Sequence, residues 1–333
     1  MLADKVLGTL YGQAIGDAIG MPSELWSRKR IRAYFGEITD FLDGPIENDA
    51  ARIYKRGQFT DDTSQSLAIL DALIENHFIP DDAMIARHLI EWAKQADAFN
   101  QNILGPSSKA ALLAKMDGKD AGPFTSEAVT NGAAMRIAPV GCLFSRDEKA
   151  QLLDYVYRIS RVTHDTNVAI CGAAMIAMAV SSAVDGQGWD AIMEDVLDIS
   201  EQAVHYGQDI FGPSLSERLK LGLDFALKHC HDKETFAQKI YDVIGTGVQT
   251  TESVPAALAI AYYTKDPHRC SLLCANLGGD TDTIGAMATA ICGTKTGIQS
   301  FDKHGLQLID DSNQVDLRYY AEQMVCFREK RDK

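Results

Sequence analysis

Ser64-Gln65-Ser66-Leu67-Ala68-Ile69-Leu70-Asp71-Ala72-Leu73-Ile74-Glu75-Asn76 puts Leu67, Leu70, Leu73 and Ile74 on one face of an α-helix. The stretch 82–95 repeats the pattern with Met84, Ile85, Leu89 and Trp92. Similar periodicity predicts helices over 149–161, 167–182, 191–202, 215–229, 235–244 and 254–263. Alternating runs of β-branched residues are almost absent, and no rhythm of parallel strands appears. The predicted fold is all-α.

Several of these helices are rich in Ala and Gly: 169–179, 256–261 and 285–293. Small residues let helix axes approach closely, which suits central helices surrounded by others. Gly12, Gly16 and Gly20 recur every fourth residue and predict a helix face packed tightly on a neighbour. Turn pairs such as Gly105-Pro106, Gly122-Pro123 and Gly212-Pro213 separate helices, but no low-complexity linker divides the chain. The loop at 181–189 is too short to be a boundary. One compact orthogonal helical bundle over 1–333 is expected.

The 333 residues are 46% hydrophobic and 23% charged, the composition of an ordinary globular protein. Thirty-two basic against 46 acidic residues leave a net charge of −14, which repels nucleic acid and anionic membrane surfaces. The one basic cluster, Phe327-Arg328-Glu329-Lys330-Arg331-Asp332-Lys333, reads as a solvated helix end. Neither nucleic acid nor membrane is expected as a partner. Seven scattered cysteines read as buried reduced thiols, since Cys270 and Cys274 have no companion pair or His to complete a zinc site. Met1-Leu2-Ala3-Asp4-Lys5 does not open a signal peptide, and the apolar run 168–184 falls short of the ~20 residues of a membrane span. A cytoplasmic protein is expected.

Two clusters carry the chemistry. Gln58-Phe59-Thr60-Asp61-Asp62-Thr63 and Gly278-Gly279-Asp280-Thr281-Asp282-Thr283 each sit immediately before a helix. An N-cap explains any one of these residues. It does not explain four carboxylates, because one cap per helix suffices and the surplus crowds like charges against apolar segments. Two divalent cations would neutralise Asp61, Asp62, Asp280 and Asp282, and helix N-termini help keep the ligands ionised. Oxygen ligands without His or Cys favour Mg²⁺, Mn²⁺ or Ca²⁺ over zinc. Ile284 and Gly285 do not fit an EF-hand. His164-Asp165 lacks the earlier ligand His of an HD phosphohydrolase, because His77 and His88 sit in ordinary helical runs. A prenyl-pyrophosphate motif would need a third acid after Asp62.

Two further stretches join them. In 12–24, Asp17 reads as a buried structural acid, while Glu24, past Pro22, is freer to face a cavity. In Thr130-Asn131-Gly132-Ala133-Ala134-Met135-Arg136, the Asn-Gly turn exposes backbone N–H groups that suit phosphate oxygens.

Together and in order, Gly12 to Glu24, Thr60 to Thr63, Asn131 to Arg136, Glu252-Ser253-Val254-Pro255-Ala256-Ala257 and Gly278 to Ala286 resemble the ADP-ribosylglycohydrolase family. The resemblance implies an all-α fold with a binuclear Mg²⁺ or Mn²⁺ centre in a central cleft. It also implies cleavage at the anomeric carbon of ADP-ribose attached to a side chain. Thr60, Asp61 and Asp62 match the first metal motif, and Asp280, Asp282 and Thr283 the second. Glu24 matches an acid that reaches the metals or the substrate, and Asn131 and Gly132 a ribose-phosphate loop. His164 lies where relatives carry a His-Pro stretch; here the sequence is Thr163-His164-Asp165-Thr166, and a core or capping role is equally open.

The implied mechanism is attack of a metal-activated water on an oxocarbenium-like ribosyl centre. Asp61, Asp62, Asp280 and Asp282 fix the metals, and Glu24 or a metal-bound aspartate takes the proton. Arg136 is the candidate cation for the pyrophosphate, with Lys109 less well placed. ADP-ribosyl-arginine and ADP-ribosyl-serine proteins are both open as substrates. Hydrolysis of a small ribosylated metabolite such as a nucleoside, and silent ADP-ribose binding, are the alternatives.

Overall fold

The computed structural model describes residues 2–101 and 103–331. Among them are seventeen α-helices, short 3₁₀ and π turns, and no strand beyond isolated bridges. The expected 82–95 helix is found as Asp82–Gln95, with Asp81 capping Met84 N–H. The helix expected over 235–244 is α only over Lys233–Lys239 and closes as a π turn, Ile240–Ile244, ended by Gly245 at φ 89°. The helix expected over 254–263 begins earlier, as Thr250–Thr264, with Pro255 inside it. Pro255 cannot donate to the Thr251 carbonyl, which instead accepts from Arg218 Nη1 at 2.9 Å.

Asn167–Val184 is the central helix. By length and hydropathy (1.8) it could cross a membrane, yet 94% of it is buried against other helices. One hydrophobic cluster runs continuously from Val6 to Met324, so segments from both ends of the chain share a core. The basic tail differs from the solvated end expected of it. Arg328 is 6% exposed, donates to the Cys142 carbonyl and pairs with Asp185, while Arg331 lies 4.3 Å over the Phe144 ring. Met1, Asp332 and Lys333 lie outside the described residues.

The Leu2–Gly20 and Thr281–Thr296 helices form the closest pair. A Cβ on Gly12 would sit 2.5 Å from the Thr289 carbonyl oxygen, and one on Gly16 would overlap the Gly285 carbonyl. Gly8 faces Gly293 and Gly20 faces Thr281 in the same way. The glycine face therefore runs antiparallel along its partner in backbone contact. The C-terminal end of the first helix, with Asp17 and Gly20, thereby abuts the N-terminal end of the other, with Asp280 and Asp282.

Candidate metal centre

Three helix ends build the site. The Asp61–Glu75 helix starts three residues before the periodicity suggested, so Asp61 and Asp62 occupy its first turn. Its N-cap, Thr60, makes no side-chain cap bond, and neither does Asp280 ahead of Thr281–Thr296. The clusters are thus not spent on capping. Glu24 is brought up by a bridge between Trp26 and Gly279, with Leu25 N–H on the Gly279 carbonyl at 2.7 Å.

Asp17, Asp62 and Asp282 present carboxylate oxygens within 4.8 Å of one another, as do Glu24, Asp280 and Asp282. Asp282 belongs to both groups, which makes two adjacent three-carboxylate sites with a shared member. Buried oxygens Asp62 Oδ1 and Asp282 Oδ1 have no hydrogen-bond partner. Orphaned anionic oxygens are costly unless a cation meets them, so the residues present fit divalent metals. Thr60 Oγ1 donates to Asp62 Oδ2 at 3.0 Å, and the Thr283 hydroxyl serves Asp62 and Asp280.

Burial raises every acid here, and repulsion from neighbouring carboxylates adds to it at Glu24, Asp61, Asp62 and Asp282. Asp61 is pushed to about 7, by burial first and then by Asp17 and Asp280. Burial moves Asp280 to about 6, against the hydrogen bond from Asn131. Asp17 also reaches about 6, although Thr63 Oγ1 and the Thr60 and Thr63 N–H groups all donate to it. Glu24, Asp62 and Asp282 are raised as well, by desolvation and neighbouring carboxylates.

A carboxyl raised in the fold binds its proton more tightly there than in the unfolded chain, so stability falls as pH climbs through the folded value. Buried His164, lowered to about 3, works the other way, but only below its unfolded value of about 6.5. Above that pH the acids dominate. Chelated protein should therefore lose melting temperature between about pH 6.5 and 8, and Mg²⁺ or Mn²⁺ should restore it more strongly at the higher pH. A chelated protein that becomes more stable over that interval would contradict the arrangement.

The other expected residues divide. Asn131 reaches the centre, donating to Asp280 Oδ2 at 2.5 Å and Ser253 Oγ at 3.0 Å. Gly132 packs on the His164 ring, where a Cβ would lie 2.7 Å from Cε1. His164 is 1% exposed and hydrogen-bonded to Thr163 and Thr130, so it supports this turn as a neutral ring. Arg136 is not brought to a ligand-accessible surface. It is 1% exposed, with its guanidinium donating to Gln65 Oε1 and Thr163 Oγ1, both at 2.5 Å. Gln65 in turn donates to Asp61 Oδ2 at 2.7 Å, so Arg136 acts on the site through Gln65.

Two residues were missed. Asp17 is hydrogen-bonded as expected of a structural acid, but it is also a member of a three-carboxylate group. Tyr54 lines a cleft of about 330 Å³ beside Thr60, Asp61 and Trp92, and its hydroxyl is raised by burial and by Asp61. Asp17 follows directly on Gly16 of the glycine face, a usable signal; Tyr54 had none.

The ADP-ribosylglycohydrolase family profile matches residues 1–332. The chain belongs to this family of glycosyl hydrolases. It is 45% identical over 333 residues to "Uncharacterized protein YegU" of Escherichia coli (strain K12), covering 100% of this chain and 99% of that one. It is 22% identical to the ADP-ribosyl-(dinitrogen reductase) glycohydrolase of Rhodospirillum rubrum, covering 97% and 96%. The ADP-ribosylhydrolase ARH3 of Mus musculus is 23% identical, covering 93% and 88%. A solved structure titled as an ADP-ribosylglycohydrolase-related protein complex shares the fold, with a TM-score of 0.72, 22% identity and 98% of both chains covered.

Proposed function

We propose that this enzyme hydrolyses the ribosyl bond of ADP-ribosylated protein side chains, arginine first, with two Mg²⁺ or Mn²⁺ ions held by the acid centre. The observation that carries this reading is the pair of carboxylate groups sharing Asp282, with unpartnered oxygens on Asp62 and Asp282. Asp17, Asp62 and Asp282 would hold one ion, and Glu24, Asp280 and Asp282 the other. Bound there, divalent cations supply the positive charge that orients ribose hydroxyls and activates water.

The chain's own groups do the rest. Glu24, partly exposed and raised by its neighbours, is the group to take the proton of the attacking water. Asn131 fixes Asp280, and the Arg136–Gln65 relay fixes Asp61. With Arg136 buried, the diphosphate falls to the N-terminus of the Pro106–Met116 helix, whose Ser107 and Ser108 adjoin Thr130 and Gly132. The cleft at Asp61 takes the leaving group. Trp92 and the Asp61 carboxylate on its walls suit a cationic guanidinium better than a serine hydroxyl. The seven unpaired cysteines support a reducing compartment, the cytoplasm.

The test is release of ADP-ribose from an ADP-ribosylated arginine peptide with Mg²⁺ and again with excess chelator. Metal-dependent release is expected. No release, in protein carrying two ions, would sink the arginine assignment, and a serine-linked peptide or a nucleoside turned over instead would name its replacement.

A further inference from the structure

We propose that the enzyme has a second small-molecule site, a cavity for a phosphorylated metabolite with an aromatic or apolar body, behind the 276–280 turn. The cavity holds about 650 Å³, the volume of an ordinary ligand pocket, and shares no lining residue with the acid centre. Its rim carries Arg28, Arg32, Lys233 and Arg269 against Glu37 and Glu234. Four cations against two carboxylates leave two positive charges uncompensated, on a chain whose net charge is −14.

The cations are arranged for an anion. Glu234 accepts from Arg28 Nη2 through both oxygens at 2.9 Å and also pairs with Arg32, so one carboxylate already sits in a two-arginine fork. Arg28 is 6% exposed and is anchored by Nη1 on the Asn276 carbonyl at 3.1 Å, which fixes the fork to the cavity floor. Among the described residues Lys233 meets only the exposed Glu37, at 3.1 Å, a pair of little strength. Arg269 forms no ion pair among the described residues. Lys233 and Arg269 are thus available to a phosphate that Glu234 does not satisfy.

The walls provide the apolar half. Tyr263 lines the cavity and is held flat by stacking on Phe236, with centroids 3.9 Å apart at 12°. Leu272 and Ala237 complete that side. An aromatic ring can lie on Tyr263 while its phosphate reaches Arg269 and Lys233.

Phenyl phosphate, titrated by calorimetry into the Mg²⁺-loaded full-length protein, tests this. One saturable site is expected. Arg269→Ala removes an exposed side chain and should weaken binding about tenfold, the loss of one charge-assisted contact. Leu272→Trp should block the site by filling it, with circular dichroism confirming the fold. Asp280→Ala should leave it unchanged, which separates this cavity from the catalytic reading. Binding that survives both cavity variants, binding lost in Asp280→Ala, or no saturable binding at millimolar ligand would each overturn the proposal.

Discussion

Alanine at Asp280 should lower turnover roughly a thousandfold, about 4 kcal/mol of transition-state stabilisation, and reduce bound metal from two ions to one. Asp280 is one of the three carboxylates of the Glu24–Asp280–Asp282 group and accepts the Asn131 amide, so its loss opens one metal position and frees the Asn131 turn. The fold should survive. Asp280 makes no side-chain cap bond to the helix it precedes, so no cap is lost. In the metal-free protein the change removes one of six crowded, mutually repelling acids, and melting temperature should hold or rise. Loss of activity from unfolding would move it the other way. The measurements are kcat on the conjugate, metal content after dialysis, and helical content. Near wild-type turnover with two ions bound would end the assignment.

Legibility differed between the fold and the site for physical reasons. Helix 82–95 could be read to its ends because its periodicity, Asp81 cap and apolar stripe all agree locally. The glycine face 12–16–20 was also readable, since only close helix contact explains glycine every fourth residue in a helix. The start of the Asp61–Glu75 helix was misplaced because its first turn is acidic and carries no apolar stripe. Residues gathered by packing were hidden. Tyr54 comes from the irregular stretch between Phe35 and Asp61, which has no period to read. Arg136 looked like a ligand cation because its partners, Gln65 and Thr163, lie 71 and 27 residues away. The basic tail looked solvated for a similar reason: Asp185, which draws Arg328 in, is 143 residues distant.

Gly16→Ala should damage both stability and the metal centre, because it lies where the fold positions the site. A Cβ there overlaps the Gly285 carbonyl and lies 2.8 Å from Thr289 Cβ, and a Cβ on Gly285 would in turn overlap the Gly16 carbonyl. Both obstacles are mainly backbone, so no rotamer change relieves them and the two helices must separate. Overpacking of this kind costs about 3 kcal/mol or more, which at roughly 2 °C per kcal/mol for a chain this long lowers the melting temperature by about 6 °C. Separation also acts on the centre directly. Asp17 is the next residue along, and its group depends on Asp282 at the facing helix end. Metal affinity should fall together with stability. Gly188→Ala is the control: the position is exposed, at φ −66°, with nothing within 4 Å of an added Cβ. As the N-cap of Trp189–Ala203 it favours Gly over Ala, so the change should cost about 1 kcal/mol, well below the Gly16 effect. If Gly16→Ala melted beside Gly188→Ala and bound metal as wild type does, backbone contact between the first helix and Thr281–Thr296 could not be what holds the two halves of the acid centre together.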